Sequence, residues 1–133
     1  ILKEINLNKT IIFFFPRANT SGCTKEAMEF SNLIEEFKKL NTQIIGISKD
    51  SPEQQKKFRE KHNLKCELGS DNEGKICEIF SAWVEKSMYG KKYMGIQRST
   101  FLINEECKVL KSWPKVKVPN HATEVLEELK KLS

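Results

Sequence analysis

The run Thr10-Ile11-Ile12-Phe13-Phe14-Phe15, closed by Pro16, constrains the fold more than any other stretch, because it is unbroken β-branched and aromatic residues. Such a run reads as a buried strand. From Ala27 the apolar spacing becomes helical, with Ala27, Phe30, Ile34 and Phe37 on one stripe and Leu33 and Leu40 beside it. Cys23 falls between the two, in the first turn of the expected helix. Unpaired backbone N–H groups and the positive end of the helix dipole favour an anion there. In general such a setting lowers a thiol pKa from about 8.5 to roughly 3.5–7.5.

A free cysteine more often behaves as a small buried apolar residue and is inert. The neighbours of Cys23 argue otherwise. Asn19, Thr20, Ser21, Gly22 and Thr24 supply hydroxyls and an accessible backbone, not an apolar wall.

The spacing Pro16, Thr20, Cys23 resembles the P-x-x-x-T-x-x-C signature of the peroxiredoxins. The run Asn19-Thr20-Ser21-Gly22-Cys23-Thr24-Lys25-Glu26-Ala27 is most similar to the bacterioferritin comigratory protein, or Q-type, branch. Downstream, Met88-Tyr89-Gly90-Lys91-Lys92 leads into Gly95-Ile96-Gln97-Arg98-Ser99-Thr100-Phe101-Leu102-Ile103, which resembles that family's arginine-bearing strand. Trp113-Pro114-Lys115-Val116-Lys117-Val118-Pro119-Asn120-His121 is similar to its C-terminal segment. These blocks occur in the family's order and span nearly the whole chain. The resemblance implies a thiol-dependent peroxidase, acting on hydrogen peroxide and organic hydroperoxides through a sulfenic acid at Cys23 in antioxidant defence. It also implies a strand segment ahead of Ile1.

The chemistry can be built beside the resemblance. Attack on a peroxide needs a thiolate, a polar cradle for both oxygens and donors for the charge developing on the leaving oxygen. Cys23 is the candidate nucleophile, and Thr20 can turn its hydroxyl toward sulfur and peroxide. Backbone N–H groups around Gly22 and Cys23 are further donors. Pro16, without an N–H, would shape and shield the pocket. Arg98, permanently charged, can hold the thiolate and polarise the peroxide, with Glu26 orienting it through a charge-assisted pair. Each has a plainer alternative: Thr20 a helix cap, Glu26 a first-turn carboxylate, Arg98 a surface cation. The apolar strand that follows Arg98 speaks against a solvated position.

The remainder suits one domain of α/β class, residues 1–133. Gln43 to Ser48 reads as a second buried strand, and Ser51-Pro52-Glu53-Gln54 as a capping box opening a helix to about His62. Asp71-Asn72-Glu73-Gly74 turns into a short helix through Ile76, Ile79 and Phe80, and Met88 to Gln97 reads as loop. Thr100 to Ile103 and Val109 to Trp113 form a hairpin across Asn104-Glu105-Glu106. Asn120 caps a last helix with Val125, Leu126, Leu129 and Leu132 inward. The order β-α-β-α-α-β-β-α is that of a thioredoxin-like fold, a central mixed sheet flanked by helices.

A net charge of +5 raises nucleic-acid binding. The lysine pairs, however, are scattered and mixed with Glu35-Glu36, Glu105-Glu106 and Glu127-Glu128, which describes a solvated surface. No nucleic-acid partner is expected, and no membrane either, since no run approaches the ~18 apolar residues of a spanning helix.

Completion of a catalytic cycle requires a thiol to reduce the sulfenic acid. The positions where Q-type members carry a resolving cysteine hold Met28 and Arg59 here. Cys77 reads as a core residue of the short helix, Cys66 as a mobile, more exposed residue after a helix, and Cys107 as part of the hairpin turn. His62 and Cys66 make a close pair with no second pair to complete a metal site. The expectation is a one-cysteine enzyme reduced by thioredoxin, glutaredoxin or a small thiol, with resolution by Cys66 or Cys77 after local unfolding as the alternative. Sulfur carries the redox chemistry, so no cofactor is expected. The cysteine usage suits the cytoplasm. A monomer is expected, or a disulfide-linked dimer. A second function class stays open, a thioredoxin-fold redox sensor or interaction protein in which Cys23 is oxidised without efficient turnover.

Overall fold

The computed structural model describes residues 9–132 other than Asn19, Asn72 and Cys107, with all their side chains except those of Met88 and Leu132. The inward placement expected of Leu132 and the turn position of Cys107 thus lie outside the described residues. The apolar run forms strand β1 (Lys9–Phe14), the central strand of a five-stranded sheet. It pairs in parallel with β2 (Thr42–Ser48), which pairs in parallel with β3 (Glu67–Ser70). On its other side β1 pairs antiparallel with β6 (Ser99–Asn104), and β6 with β7 (Val109–Trp113). The sheet is mixed, in the order β3-β2-β1-β6-β7.

The absence of polar alternation in β1 now has its cause: both sides are covered. Because successive side chains point to opposite faces, Ile11, Phe13 and Phe15 enter one core layer and Ile12 and Phe14 the other. The first layer is filled by helices α1 (Ser21–Asn32), α2 (Ile34–Lys39), α3 (Pro52–Lys61) and α5 (His121–Leu132), through Ala27, Phe30, Phe37, Phe58, Val125 and Leu129. The second holds Ile47, Ile103, Cys77 of α4 (Lys75–Ile79) and Ile96.

Three elements differ from expectation. The stripe from Ala27 to Phe37 is carried by two helices, because α1 stops at Asn32 and the Leu33 N–H bonds to the Phe30 carbonyl at 3.1 Å before α2 begins. The short strand β3 was not anticipated. The stretch expected to be loop after Met88 is one arm of a twisted ribbon, β4 (Trp83–Met88) paired antiparallel with β5 (Lys91–Ile96). Tyr89 and Gly90, with φ of 53° and 78°, make its tight turn. Most of β5 is exposed, so the ribbon has little of the apolar alternation that marks a half-buried strand. The expected capping box at Ser51 and Gln54 is present, and the β6–β7 hairpin forms. Asn120 stands ahead of α5 with φ of 64°, and its carbonyl accepts the Glu124 N–H at 3.0 Å.

One glycine sets how closely α1 approaches the sheet. Gly46 lies opposite Phe13 in the parallel register, and a Cβ there would stand 2.5 Å from the tip of the Phe13 ring. The ring occupies that space and stacks on Phe30 of α1 at 4.7 Å. Gly46→Ala is expected to lower the unfolding free energy by about 1–3 kcal/mol, measured by urea denaturation; an unchanged midpoint would show that Phe13 shifts without cost.

Candidate active site

After β1 the chain must turn sharply to enter α1, and the turn is held from the side. The Ala18 N–H donates to Asp50 Oδ2 at 2.7 Å. The Ser48 hydroxyl donates to the same oxygen at 2.6 Å and accepts from Gln55 Nε2 at 2.9 Å. This path ties the loop to β2 and α3. Asp50 was missed by sequence reasoning, and only its place beside the capping box hinted at a local role.

The first intrahelical bond of α1 runs from the Thr24 N–H to the Thr20 carbonyl at 2.9 Å. The N–H groups of Ser21, Gly22 and Cys23 therefore have no acceptor within the helix. Thr20 occupies the N-cap position without a side-chain capping bond. Its hydroxyl donates instead to the Arg17 carbonyl at 2.8 Å, which corrects the expectation that this proton turns toward sulfur. Pro16 directly follows Phe15, ahead of this loop, and is exposed.

Cys23 is 1% exposed, and its sulfur lies 3.2 Å from Nη2 of Arg98. Nη1 of the same guanidinium donates to Glu26 Oε1 at 2.7 Å. Arg98 stands between β5 and β6, with its carbonyl accepting the Val116 N–H at 3.0 Å. A Cβ on Gly22 would stand 3.2 Å from Nη2, so the residue before Cys23 must be small to admit the guanidinium. The guanidinium thus brings a full positive charge within hydrogen-bond distance of the sulfur. Burial works against the charge on Arg98, but Glu26 and then Cys23 beside it hold it above its ordinary range.

Glu26 is the unusual member. It is 1% exposed, and its second oxygen, Oε2, is buried with no hydrogen-bond partner. Burial pushes its carboxyl up to about 7, against the pull of Arg98. His121, tied to Thr100 Oγ1 at 2.8 Å, is pulled down to about 4 by burial and by the nearby Arg98 charge. Lys86 of β4 is a second cation at the site that sequence reasoning missed. Burial and then Arg98 lower it, while Cys23 acts in the opposite sense, so it stands within electrostatic reach of both. The Tyr89-Gly90 turn was the available signal, since a hairpin there places Lys86 opposite Tyr93 on one ribbon.

Of the expected site residues, Cys23, Arg98 and Glu26 are joined by direct bonds, and Thr20 and Pro16 lie on the loop leading in. Cys77 is in the core as expected, but on the opposite face of the sheet, packed with Ile12 and Phe14. Burial, then Asp71, pushes its thiol up to about 12. Cys66 corrects an expectation: it is fully buried, in the same layer as Cys23, and burial pushes its thiol up to about 11.

Residues 1–112 match the AhpC/TSA family. The chain is similar to peroxiredoxin Bcp of Bacillus subtilis, 48% identical and covering 92% of this chain and 78% of that one. Peroxiredoxin Bcp of Escherichia coli K12 is 38% identical, covering 97% and 83%. Among solved structures, the bacterioferritin comigratory protein of Xanthomonas campestris, studied for alkyl peroxide reduction in trapped intermediate and ligand complexes, superposes with a TM-score of 0.90. It is 39% identical and covers 98% of this chain and 83% of that one.

The raised Glu26 carboxyl has a consequence for stability. Between about 4.5 and about 7 the folded protein holds a proton that the unfolded chain has released, so stability falls as pH rises through that window. Glu26→Gln abolishes this titration. The unfolding free energy of the wild type is expected to fall relative to Glu26→Gln across the window, and a constant difference would show a carboxylate ionised throughout.

Proposed function

Because the chain belongs to the AhpC/TSA family, among its Bcp peroxiredoxins, we propose that Cys23 is the thiol that attacks peroxide, with Arg98, Glu26, Thr20 and the opening N–H groups of α1 around it. The protein is a peroxiredoxin, a thiol-dependent peroxidase. The observation that carries the residue assignment is the Arg98 guanidinium, which bridges Cys23 sulfur and Glu26.

In this mechanism the anionic sulfur attacks the terminal peroxide oxygen, forming an S–O bond as the O–O bond breaks and the other oxygen departs. Negative charge grows on the departing oxygen, where Arg98 and the N–H groups of α1 donate to it. Thr20 acts as an acceptor: its proton is committed to the Arg17 carbonyl, so its lone pairs are free to take the peroxide O–H. That bond orients the oxygen under attack. Pro16, exposed beside this loop, shields it without competing for hydrogen bonds. Cys23 is left as a sulfenic acid, and the alkoxide or hydroxide takes a proton from solvent and departs as alcohol or water.

Hydrogen peroxide and alkyl hydroperoxides are the proposed substrates, with electrons supplied by a thiol reductant of the thioredoxin, glutaredoxin or small-thiol class. Among the described residues no helix is long and apolar enough to cross a membrane. The described cysteines are all free thiols, which supports a reducing compartment such as the cytoplasm.

Steady-state consumption of hydrogen peroxide and of an alkyl hydroperoxide with a dithiol donor tests this. Cys23→Ser is expected to abolish turnover, and Arg98→Met to lower kcat/KM by roughly 10²–10³ while Cys23 is retained. A single stoichiometric oxidation without turnover would instead favour the redox-sensor alternative.

A further inference from the structure

We propose that Cys66 is the resolving thiol, condensing with the Cys23 sulfenic acid to an intramolecular disulfide once the opening turns of α1 unwind. This rests on Cys23 being the peroxide-reactive residue, and it replaces the one-cysteine cycle expected from sequence.

The sheet decides between the candidates. Cys23 and Cys66 occupy one core layer, with Ala27, Phe30, Phe58 and Leu64, whereas Cys77 lies behind the central strands. Cys77 and Cys23 thus enter different core layers, on opposite faces of the sheet. The path to Cys66 requires only that α1 give way. The Lys65 N–H donates to Ser31 Oγ at 2.7 Å, which sets the Cys66 segment beside the last turn of α1. Ser31 stands about 12 Å along the helix axis from Cys23, beyond the roughly 4.4–6.8 Å between Cα atoms that a disulfide spans. Unwound, the residues between Cys23 and Ser31 reach more than about 20 Å, enough to close the gap.

The composition of α1 suits such unwinding. It has no side-chain N-cap, no acidic residue in its first turn and no basic residue in its last, and Gly22 sits in the opening turn. Each missing device forgoes stabilisation that α3 retains through its capping box, Pro52, Glu53 and the terminal Arg59 and Lys61. Oxidation removes a further support, because a neutral sulfenic acid no longer holds Arg98 or the helix N-terminus as an anion does. The same motion uncovers Cys66. While α1 is packed, Cys66 is fully buried. In that packed state burial holds its thiol up, its own backbone N–H and then Arg59 pull it down, and Glu67 opposes them.

The step balances. The S–O bond of Cys23 breaks, an S–S bond forms, and hydroxide leaves with the Cys66 thiol proton as water. Peroxide has already supplied the oxidation.

Trypsin separates all four cysteines, into Ala18–Lys25, Cys66–Lys75, Ile76–Lys86 and Ser99–Lys108. Reduced wild type is treated with equimolar hydrogen peroxide, alkylated in denaturant, and analysed intact and after digestion. The expected result is a monomer lighter by two hydrogens, with Ala18–Lys25 linked to Cys66–Lys75. The loss vanishes in Cys66→Ala and persists in Cys77→Ala and Cys107→Ala. A linkage to either other peptide, a disulfide-linked dimer, or a trappable sulfenic acid with no linkage overturns the proposal, in wild type and without dependence on any variant's folding. Absence of oxidation at Cys23 would instead overturn the catalytic assignment beneath it.

Discussion

The bridge that Arg98 makes between Glu26 and Cys23 is the interaction on which the site depends. A carboxyl 1% exposed cannot remain ionised without a cation, and a guanidinium drawn from water needs acceptors. Sulfur is a second acceptor, at 3.2 Å. Removing one member of such a buried pair commonly costs about 3–5 kcal/mol, so folding and reactivity are tied to the same atoms. Oε2, left without a partner, shows that the arrangement is not optimised for stability alone. Arg98 divides its two terminal nitrogens between Glu26 and sulfur.

The rest of the molecule brings these groups together. β1 delivers the loop and α1, and β6 follows directly from Arg98, and the two strands pair antiparallel with Phe14 opposite Ser99. Sequence-distant groups thus meet at one end of the central strands. Phe13, seated on Gly46 and stacked on Phe30, sets the height of α1 above the sheet. Asp50 fixes the approach to α1 through Ala18, backed by Ser48 and Gln55. The β4–β5 ribbon is anchored at its start by Lys49, whose Nζ lies 4.2 Å from the Trp83 ring centre, and it supplies Lys86. Within this frame α1 alone opens directly on the site, and its N-cap has no side-chain hydrogen bond.

Much of this was legible in the chain. The apolar runs at Thr10–Phe15 and Gln43–Ser48, the capping box at Ser51 and the β6–β7 hairpin carry local signals, because burial and capping act on residues close in sequence. The β4–β5 ribbon was illegible because it is largely exposed, and β3 because four residues hold too little pattern. The exposure of Cys66 was misjudged for a related reason. Its segment is irregular, and irregular segments are usually at the surface, but here a side chain on α1 binds its backbone.

By itself the sequence determined that a thiol would stand in the first turn of a helix behind a buried strand, since both elements are dictated by residue type and spacing. It also contained the matching arginine and carboxyl. Only the tertiary structure decided that these meet, that the Thr20 proton points to Arg17, and that Cys66 shares a layer with Cys23 while Cys77 does not. Those outcomes rest on contacts between residues far apart along the chain and on which face of the sheet each side chain enters, and neither is encoded in local periodicity.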